Sequence, residues 1–276
     1  MNKLIVVNKP VFVSSNSYLK KIKWKHKNKK AGFSGTLDPF ACGCLIVAFG
    51  QYPKLFRYLK KTPKSYRATI WLDVHSDSLD IENITHLDKA SVKPIQDEIE
   101  KELLKLKGGI NYLPPKFSAK KIDGKRAYDL ARDGKEFDMK MIKSTIYDVK
   151  FINYNHPFIT FDISVSEGAY IRSLAQIFLG NIKQKGTLSY LNRLHEGEFY
   201  FDDEKELNPI DYLDLPLNNY TGTKEWFDLG KKLNIDYFEN KKDGEYLIVF
   251  DTFFAVVEIK ENEIKYILNK VLLQNG

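Results

Sequence analysis

The chain has 276 residues, 43% of them hydrophobic, which suits one large domain or a main domain with a small second one. No apolar run reaches the roughly 18 residues of a membrane span, and "MNKLIVVNKP" turns polar too quickly for a signal peptide, so we expect a cytoplasmic protein without a membrane partner. Residues 1–72 contain 15 Lys and Arg but one acid, Asp38, within a net charge of +7. Such a basic segment indicates a polyanionic partner, most often nucleic acid, with an anionic membrane surface as the less favoured alternative.

The N-terminal third predicts buried strands around a lysine-rich helix. "KLIVVNKP" has the apolar run of a buried strand that ends at Pro10, and "SNSYLKKIKW" predicts a short helix capped by one of its serines or by Asn16. Seven lysines lie between positions 20 and 30, beside Trp24 and His26. They form either a solvated loop or a segment that contacts phosphates. "CLIVAFG" predicts a buried strand, and "SYRATIWLDV" has the alternation of another.

The middle of the chain predicts a helix, an arm and a hairpin. Residues 91–106 predict an amphipathic helix with Ser91 as its cap and Pro94 in its first turn. Its apolar face consists of Ile95, Ile99, Leu103 and Leu106. Residues 114–137, rich in Pro, Lys and Gly, predict an exposed arm with one short helix near 125–132. "STIYDVKFINYN" and "FITFDISVSEG" alternate like the strands of a hairpin.

The C-terminal part predicts one more helix and a small β-rich appendage. Gly168 leads into the helix "AYIRSLAQIFLG", which ends at Gly180, and residues 186–201 predict a short helix and a strand. After residue 205 the chain is more acidic. It ends in three short predicted strands, "EYLIVF", "FAVVEI" and "KYILNKVLL".

No residue pattern predicts a metal or cofactor site. Cys42 and Cys44 are too close in sequence for a good disulfide and are interpreted as small packing residues. The five histidines show no metal-binding spacing. The acids Asp73, Asp77, Asp80 and Glu82 fit no EF-hand, and a loop that shapes the rim of a site is the favoured interpretation.

Three residues stand out as chemical candidates, each with a plain structural alternative. Asp38 precedes Pro39 as in many turns, yet glycines flank it and its basic surroundings favour an ionised carboxylate. Arg172 falls in the first turn of a helix, where a cation is disfavoured, so it is either a hydrated surface residue or the partner of an anion. Tyr66 opens an apolar strand, where most tyrosines simply pack.

Five segments together resemble the bacterial TruB-type tRNA pseudouridine synthases. "GTLDPFACGCL" is similar to that family's G-x-L-D-P-x-A-x-G-x-L signature, and the other segments follow in the family's order over residues 4–199. They are "VNKPVFVSSN", "KSYRATIWLDVHSDSLD", "PPKFSAKKIDGKRAYDLARDG" and "SEGAYIRSLA". The resemblance implies an α+β fold with a mixed, mainly antiparallel central sheet flanked by helices. It also implies a catalytic domain over 1–205, an RNA-binding arm over about 112–137 and a short PUA-like, β-rich domain over 206–276.

The resemblance further implies isomerisation of uridine to pseudouridine in the T-loop of tRNA, at position 55, by a monomer without cofactor, metal or obligate protein partner. Asp38 would start the chemistry by attack on the ribose C1′, by attack on the base or by elimination at C2′. Tyr66 would stack on the flipped base and is a candidate base for a sugar proton, and Arg172 would pair with Asp38. Asp38, Tyr66 and Arg172 are thus the expected catalytic residues.

Substrate binding is expected from cationic and aromatic side chains. The residues predicted for this role are Lys9, Phe33, Lys64, Tyr170, Lys20, Lys21, Lys23 and Lys120, with Lys25, Lys27, Lys29, Lys30 and Arg67 as further candidates for phosphate contacts. Four positions depart from the family's pattern. Phe33 replaces a usual His, Phe12 a Gly, Glu167 a Lys and Ala169 a Thr. These four replacements are expected to affect contacts with RNA, and none of them is at an expected catalytic residue.

Three other functions remain open from the sequence. The chain is alternatively an RNA-binding or RNA-folding protein that kept the fold without the chemistry, a base-excising N-glycosylase, or a lysine-rich structural protein. A pseudouridine product excludes the first, free uracil identifies the second, and the packed Gly-Asp-Pro segment argues against the third.

Overall fold

The computed structural model describes residues 1–88, 92–122 and 124–273. The elements of the N-terminal two thirds are β1 (Lys3–Lys9), α1 (Ser15–Lys25), β2 (Ala31–Ser34), β3 (Cys42–Phe49), β4 (Lys64–Leu72), β5 (Val74–Ser76), β6 (Ile84–Leu87), α2 (Gln96–Leu104), β7 (Gly108–Tyr112), β8 (Lys121–Ile122), β9 (Lys125–Arg126), α3 (Ala127–Arg132), β10 (Ile142–Asn155), β11 (Phe158–Val165), α4 (Ile171–Asn181), β12 (Gly186–Glu196) and β13 (Phe199–Tyr200). The C-terminal elements are α5 (Glu225–Leu229), β14 (Gly244–Val249), β15 (Phe253–Lys260) and β16 (Glu263–Leu272). Short 3₁₀ helices occupy Tyr52–Leu55, Pro209–Tyr212 and Ile235–Tyr237.

A nine-stranded sheet forms the centre of the molecule, with the order β1-β3-β12-β4-β11-β10-β7. β2 pairs with β3, and β13 pairs with β12. Neighbouring strands are antiparallel except β3 and β12, which are parallel. The predicted α+β class with a mixed, mainly antiparallel sheet is therefore confirmed.

Side-chain alternation along the strands decides what covers each face of the sheet. On β4, Tyr66, Ala68, Ile70 and Leu72 are buried in the same core as the apolar side of α4. At the β1–β3 end, alternate residues face opposite sides. One set packs under α1 with Leu19 and Ile22, and the other packs against the C-terminal strands.

Two predicted elements differ from the structure. Over 91–106 the helix is shorter, because α2 begins at Gln96 and Ile95, which is 70% exposed, lies outside its apolar face. Ser91, predicted as the cap, lies outside the described residues. Over 186–201 no helix forms, and the segment is the long strand β12 followed by β13. Bulges at 188/190 and 193/195 interrupt the alternation along β12, which hid its strand character in the sequence.

The other predicted elements are present. Ser14 caps α1 by accepting a hydrogen bond from the Ser17 amide, and α3 lies inside the predicted arm. The three C-terminal strands form one antiparallel sheet, β14-β15-β16. This sheet shares a core with the main one, since Phe254, Val256 and Val271 pack with Leu4 and Ile46. No helix among the described residues is both long and apolar enough to cross a membrane.

Candidate active site

A cleft of about 350 Å³ lies across the central sheet and brings the three expected catalytic residues together. Asp38 comes from the loop between β2 and β3, Tyr66 from β4 and Arg172 from the start of α4. The cleft is lined by Gly35, Thr36, Leu37, Asp38, Lys64, Tyr66, Ala119, Lys120, Glu167, Gly168, Ala169, Tyr170, Ile171, Arg172, Leu191 and Arg193. Its volume is in the range of about 300–1,000 Å³ that is typical of small-molecule sites.

Asp38 and Arg172 form an ion pair at the wall of this cleft. Nη2 of Arg172 lies 2.9 Å from Oδ2 of Asp38. The arginine side chain is 4% exposed and the aspartate side chain 33% exposed, so the carboxylate reaches the cleft while the guanidinium stays behind it. A charge-assisted hydrogen bond of this kind fixes the direction of the carboxylate. The surface alternative for Arg172 is therefore wrong.

The same guanidinium binds two further segments of the chain. Its Nη1 donates to the Ser78 carbonyl at 2.7 Å and lies 3.2 Å from Oδ2 of Asp80. Its Nη2 also donates to the Phe117 carbonyl at 2.9 Å. One buried side chain thus connects the Asp38 loop, the turn after β5 and the base of the arm.

Asp80 is a buried partner of Arg172 that no sequence pattern indicates. The sequence groups it with three other acids as part of a rim loop, whereas its side chain is 1% exposed and faces Arg172. The Ser78 hydroxyl and the Glu82 amide both donate to its Oδ1, at 2.6 and 3.0 Å. Burial raises the pKa of the Asp80 carboxyl, and the charge of Arg172 and the Ser78 hydrogen bond oppose that rise. No spacing rule singles out this acid from its neighbours.

The Asp38 loop is held from inside the molecule. The Ser15 hydroxyl donates to the Leu37 carbonyl at 2.9 Å and accepts from the Leu37 amide at 3.0 Å. Leu37 and Phe40 are buried in the core on either side of the aspartate. These contacts on both sides of Asp38 leave its carboxylate little freedom to move.

Lys9 lies beneath this loop rather than in the cleft. It is fully buried, and its Nζ donates to the carbonyls of Pro10, Val13 and Pro39 at 2.8, 2.6 and 3.4 Å. Burial lowers the pKa of Lys9 to about 8. Lys9 is predicted to bind substrate, and in this structure its hydrogen bonds are directed at the protein's own backbone around the Asp38 loop.

A second buried ion cluster forms the floor of the cleft. Glu196, which is fully buried, lies 2.9 Å from Nζ of Lys64 and 2.8 Å from Nη2 of Arg193. Arg193 also donates to the Gly35 carbonyl at 2.9 Å and to the Cys44 carbonyl at 2.8 Å. Gly35 has a φ of +69°, and a Cβ there would lie 3.0 Å from both Glu196 and Lys64. This backbone conformation and the close side chains favour a glycine at this point.

Two aromatic residues line the cleft beside the ion pair. Tyr66 is buried, and Tyr170 is half-buried directly before α4. The amide of Tyr170 donates to the Tyr112 hydroxyl at 2.9 Å, which ties this residue to β7. Burial raises the pKa of the Tyr170 hydroxyl, and the residue lines the cleft beside the ion pair.

The remaining predicted binding residues divide into two groups. Lys64 and Lys120 line the cleft. Phe33 packs with the core under α1 and is not among the residues that line the cleft. Arg67 faces away and forms a two-point ion pair with Asp162 at 2.8 and 2.9 Å, so its charge is already compensated.

Helix α1 carries the predicted lysines on a separate basic surface. Lys20, Lys21 and Lys25 line a shallow groove together with Trp24, whose side chain is 86% exposed. Lys23 lies on the same helix outside the groove lining, and Lys29 and Lys30 are exposed just beyond it. Lys25 is 2.8 Å from Glu204, so one of these charges is partly neutralised.

Two departures from the family's pattern have visible structural effects. Glu167, exposed at the rim of the cleft, lies 3.5 Å from Nζ of Lys61 and 3.7 Å from Nζ of Lys64. It thus reduces the positive charge available at that rim. Phe12 has a φ of +58°, a backbone conformation that glycine adopts without strain. Its side chain is 67% exposed.

Comparisons with known proteins agree on one family. Residues 23–171 match the family model described as TruB family pseudouridylate synthase (N terminal domain). A tRNA pseudouridine synthase B of a Sulfurovum species is 54% identical over 272 residues, and one of a Nitratiruptor species is 51% identical, each match covering 98% of both chains. A chain in the crystal structure of a Cbf5-Nop10-Gar1 complex has a TM-score of 0.66 at 18% identity, covering 99% of this chain and 84% of that one. This last likeness concerns the fold alone.

We predict that Arg172→Met lowers the free energy of unfolding by about 3–5 kcal/mol, because it leaves the buried Asp80 carboxylate without its cation. Arg172→Met combined with Asp80→Asn should be less destabilised, since the unpaired charge is then gone. Urea unfolding followed by circular dichroism measures both. The exposed Arg132→Met is the control and should change stability by less than about 0.5 kcal/mol. A double variant no more stable than the single one would contradict the pairing.

We predict a pH-dependent contribution of Lys9 to stability. Its pKa in the folded protein is about 8 instead of 10.5, so between these values the unfolded chain binds more protons. Stability of the native protein relative to Lys9→Met should therefore rise with pH across this window, by up to about 1.4 kcal/mol per pH unit, and stay level below it. Urea unfolding at a series of pH values tests this, with the exposed Lys21→Met as control. A difference that stays flat across that window counts against the assignment.

Proposed function

The chain belongs to the TruB family of pseudouridylate synthases, and from this membership we propose that Asp38, Tyr66 and Arg172 carry out the reaction in the cleft across the central sheet. The chain isomerises uridine to pseudouridine in tRNA. Its substrate site is proposed to be the uridine at position 55 of the T-loop. The observation that carries the assignment of residues is the 2.9 Å ion pair between Arg172 and a carboxylate that stays open to the cleft.

The reaction rearranges atoms within one nucleotide. The bond between N1 of uracil and C1′ of ribose breaks, the base turns, and a new bond forms between C5 and C1′. The C5 proton leaves and N1 gains a proton, so the balance needs no oxidant, reductant or second substrate. Each of the three routes begins from a carboxylate close to the sugar or the base of the target nucleotide, and Asp38 is proposed to supply it.

Arg172 is proposed to position the reacting carboxylate. Three further oxygens, those of Ser78, Asp80 and Phe117, hold the guanidinium in place, so it presents Nη2 to Asp38 in a fixed direction. A lysine could not reproduce this, because an ammonium lacks the planar fork that addresses several acceptors at once. The rigid support keeps the carboxylate oriented without substrate.

The cleft is proposed to receive a base that has left the RNA stack. Unstacking a nucleotide costs a few kcal/mol, and stacking on an aromatic ring returns about 1–3 kcal/mol. Tyr66 and Tyr170 supply aromatic surface beside the ion pair. Lys64 and Lys120 line the same cleft and are proposed to contact the phosphate or sugar of the extruded nucleotide, Lys64 while it keeps its ion pair with Glu196.

The arm over about 112–137 and helix α1 are proposed to hold the T-arm. The α1 surface supplies charge to the phosphates, and exposed Trp24 supplies a stacking surface. The arm is proposed to become ordered on RNA. Its base already touches the site, because Phe117 accepts from Arg172 and Leu113 accepts from the Ser173 hydroxyl at 3.0 Å.

We further propose a catalytic domain over 1–205 and a small C-terminal domain over 206–276, acting in the cytoplasm as a monomer without an obligate protein partner. Support comes from the sheets: the main sheet has its last strand at Phe199–Tyr200, and a separate sheet begins at Gly244. The core that the two sheets share indicates that the smaller part is fixed to the larger one.

We predict that Asp38→Asn lowers the rate of pseudouridine formation by at least about 10²–10⁴-fold on a tRNA transcript while binding affinity stays within a few-fold of the native value. Product is measured by chemical mapping of pseudouridine at each uridine, and binding by filter retention. Asp162→Asn, a matched change on the sheet away from the cleft, is the control.

The same assay separates the rival functions. A native protein that binds tRNA without forming product would be an RNA-binding protein, and free uracil in the supernatant would identify a glycosylase. Equal product from Asp38→Asn and the native protein would rule out the role given to this aspartate. Product at a uridine outside the T-loop would overturn the site within the tRNA.

We predict that replacing Lys20, Lys21 and Lys23 with Gln weakens tRNA binding and flattens its dependence on salt. Each lost phosphate contact should reduce the slope of log K against log salt by about 0.7–0.9. Affinity is measured across a series of salt concentrations. The matched control replaces the exposed Lys231, Lys232 and Lys242 of the C-terminal part with Gln. An equal loss in both triple variants would show that the α1 surface has no special role.

A further inference from the structure

We propose that His75, His86 and Asp88 form a binding site for a divalent transition-metal ion on the β5–β6 hairpin. This site is separate from the cleft, and it does not depend on the assignment of the catalytic residues. Its ligand class is the borderline metals that imidazole and carboxylate bind together, with Zn²⁺ as the representative.

The hairpin register brings the two histidines together. His75 and His86 are direct partners across the β5–β6 pair, so their side chains leave the same face of the hairpin. Their rings lie nearly parallel, with centroids 3.9 Å apart and an angle of 13° between the planes. The two residues lie on different strands, which is why the sequence showed no metal-binding spacing.

A single carboxylate completes the cluster. Nε2 of His75 lies 2.7 Å from Oδ2 of Asp88, and Nε2 of His86 lies 3.5 Å from Oδ1. One donor atom from each of the three residues falls within 4.8 Å of the others. A tetrahedral ion with bonds of about 2.0–2.1 Å needs donors roughly 3.3 Å apart. Binding therefore requires an inward movement on the order of 1 Å and a tilt of the stacked imidazole rings, so that the lone pairs of both histidines point at the ion.

The surroundings permit that movement. The side chains of His75, His86 and Asp88 are 27%, 57% and 34% exposed, so each reaches solvent and can adjust its rotamer. The one cation that pairs with Asp88 among the described residues, apart from the two histidines, is Lys185, whose Nζ lies 3.7 Å away. Its side chain is 69% exposed and can swing away as the metal takes over the carboxylate. Solvent access also leaves room for a water as the fourth ligand.

A metal ion bound here would link β5 to β6, the two strands of the hairpin whose turn binds Arg172. The turn between β5 and β6 contains Ser78 and Asp80, which both bind the guanidinium. The Asp88 amide donates to the Asp73 carbonyl at 2.9 Å, so the cluster lies where the two ends of the hairpin meet. Linking β5 to β6 there would restrict opening of the turn that carries Asp80.

The test is calorimetric titration of the metal-stripped full-length chain with Zn²⁺. We expect one ion per chain at this site, and affinity at least about tenfold weaker in His86→Ala and in Asp88→Asn. His26→Ala is the matched control, because His26 also pairs with a carboxylate, that of Glu204, at 3.1 Å but is not part of the three-residue cluster. Cys42→Ser controls for binding by the half-buried thiol.

Hydrogen exchange with and without Zn²⁺ provides the second measurement. Slower exchange of backbone amides at 74–88 in the native chain, absent in His86→Ala, supports the link between strands. Unchanged exchange with Zn²⁺ bound would overturn that link. No binding, or binding that survives both His86→Ala and Asp88→Asn, or binding lost in Cys42→Ser or His26→Ala, would overturn the site itself.

Discussion

The rest of the site depends on the ion pairs and hydrogen bonds of the Arg172 guanidinium. It is almost fully buried, and a buried cation is tolerated only when its hydrogen-bond donors are satisfied by well-placed acceptors. Here two carboxylates and two carbonyls surround it, from three segments that are far apart in sequence. Each segment is therefore held in place by the need to compensate the same charge, and the carboxylate of Asp38 is the member of this group that stays open to the cleft.

A second buried ion cluster supports the Asp38 loop from below the cleft. Glu196 is shared by Lys64 and Arg193, and Arg193 reaches the carbonyl of Gly35 at the start of the Asp38 loop. The parallel contact of β3 with β12 places Gly43 opposite Arg193. A Cβ at Gly43 would overlap the carbonyl oxygen of Arg193, so only glycine allows the two strands to approach this closely. Gly35 and Gly43, on either side of Asp38, thus allow this loop to pack closely against Arg193 and the ion cluster.

Much of the fold and of the site could be predicted from residues whose local pattern reports directly on structure. The alternation along β4, the turn glycine before α4 and the family motifs around Asp38, Tyr66 and Arg172 are of this kind. Asp80 could not be predicted, because its role comes from a fold that turns it inward while Asp77 stays exposed. The intramolecular partners of Lys9 and Arg67 could not be predicted for the same reason: a lysine or arginine in a sequence shows its charge but not the carbonyls or the carboxylate that the fold supplies to it.

The position of Phe117 connects RNA binding with the chemistry. Its carbonyl belongs to the arm that is proposed to hold the T-arm, and it accepts a hydrogen bond from the same Nη2 that contacts Asp38. A movement of the arm therefore changes the surroundings of a buried cation, and such a change is unfavourable unless another acceptor takes the place of the carbonyl. The carbonyl of Ser78 and the carboxylate of Asp80 bind the other nitrogen, so they limit how far the guanidinium can follow the arm. In this arrangement the base of the arm stays bound to the same guanidinium that pairs with Asp38.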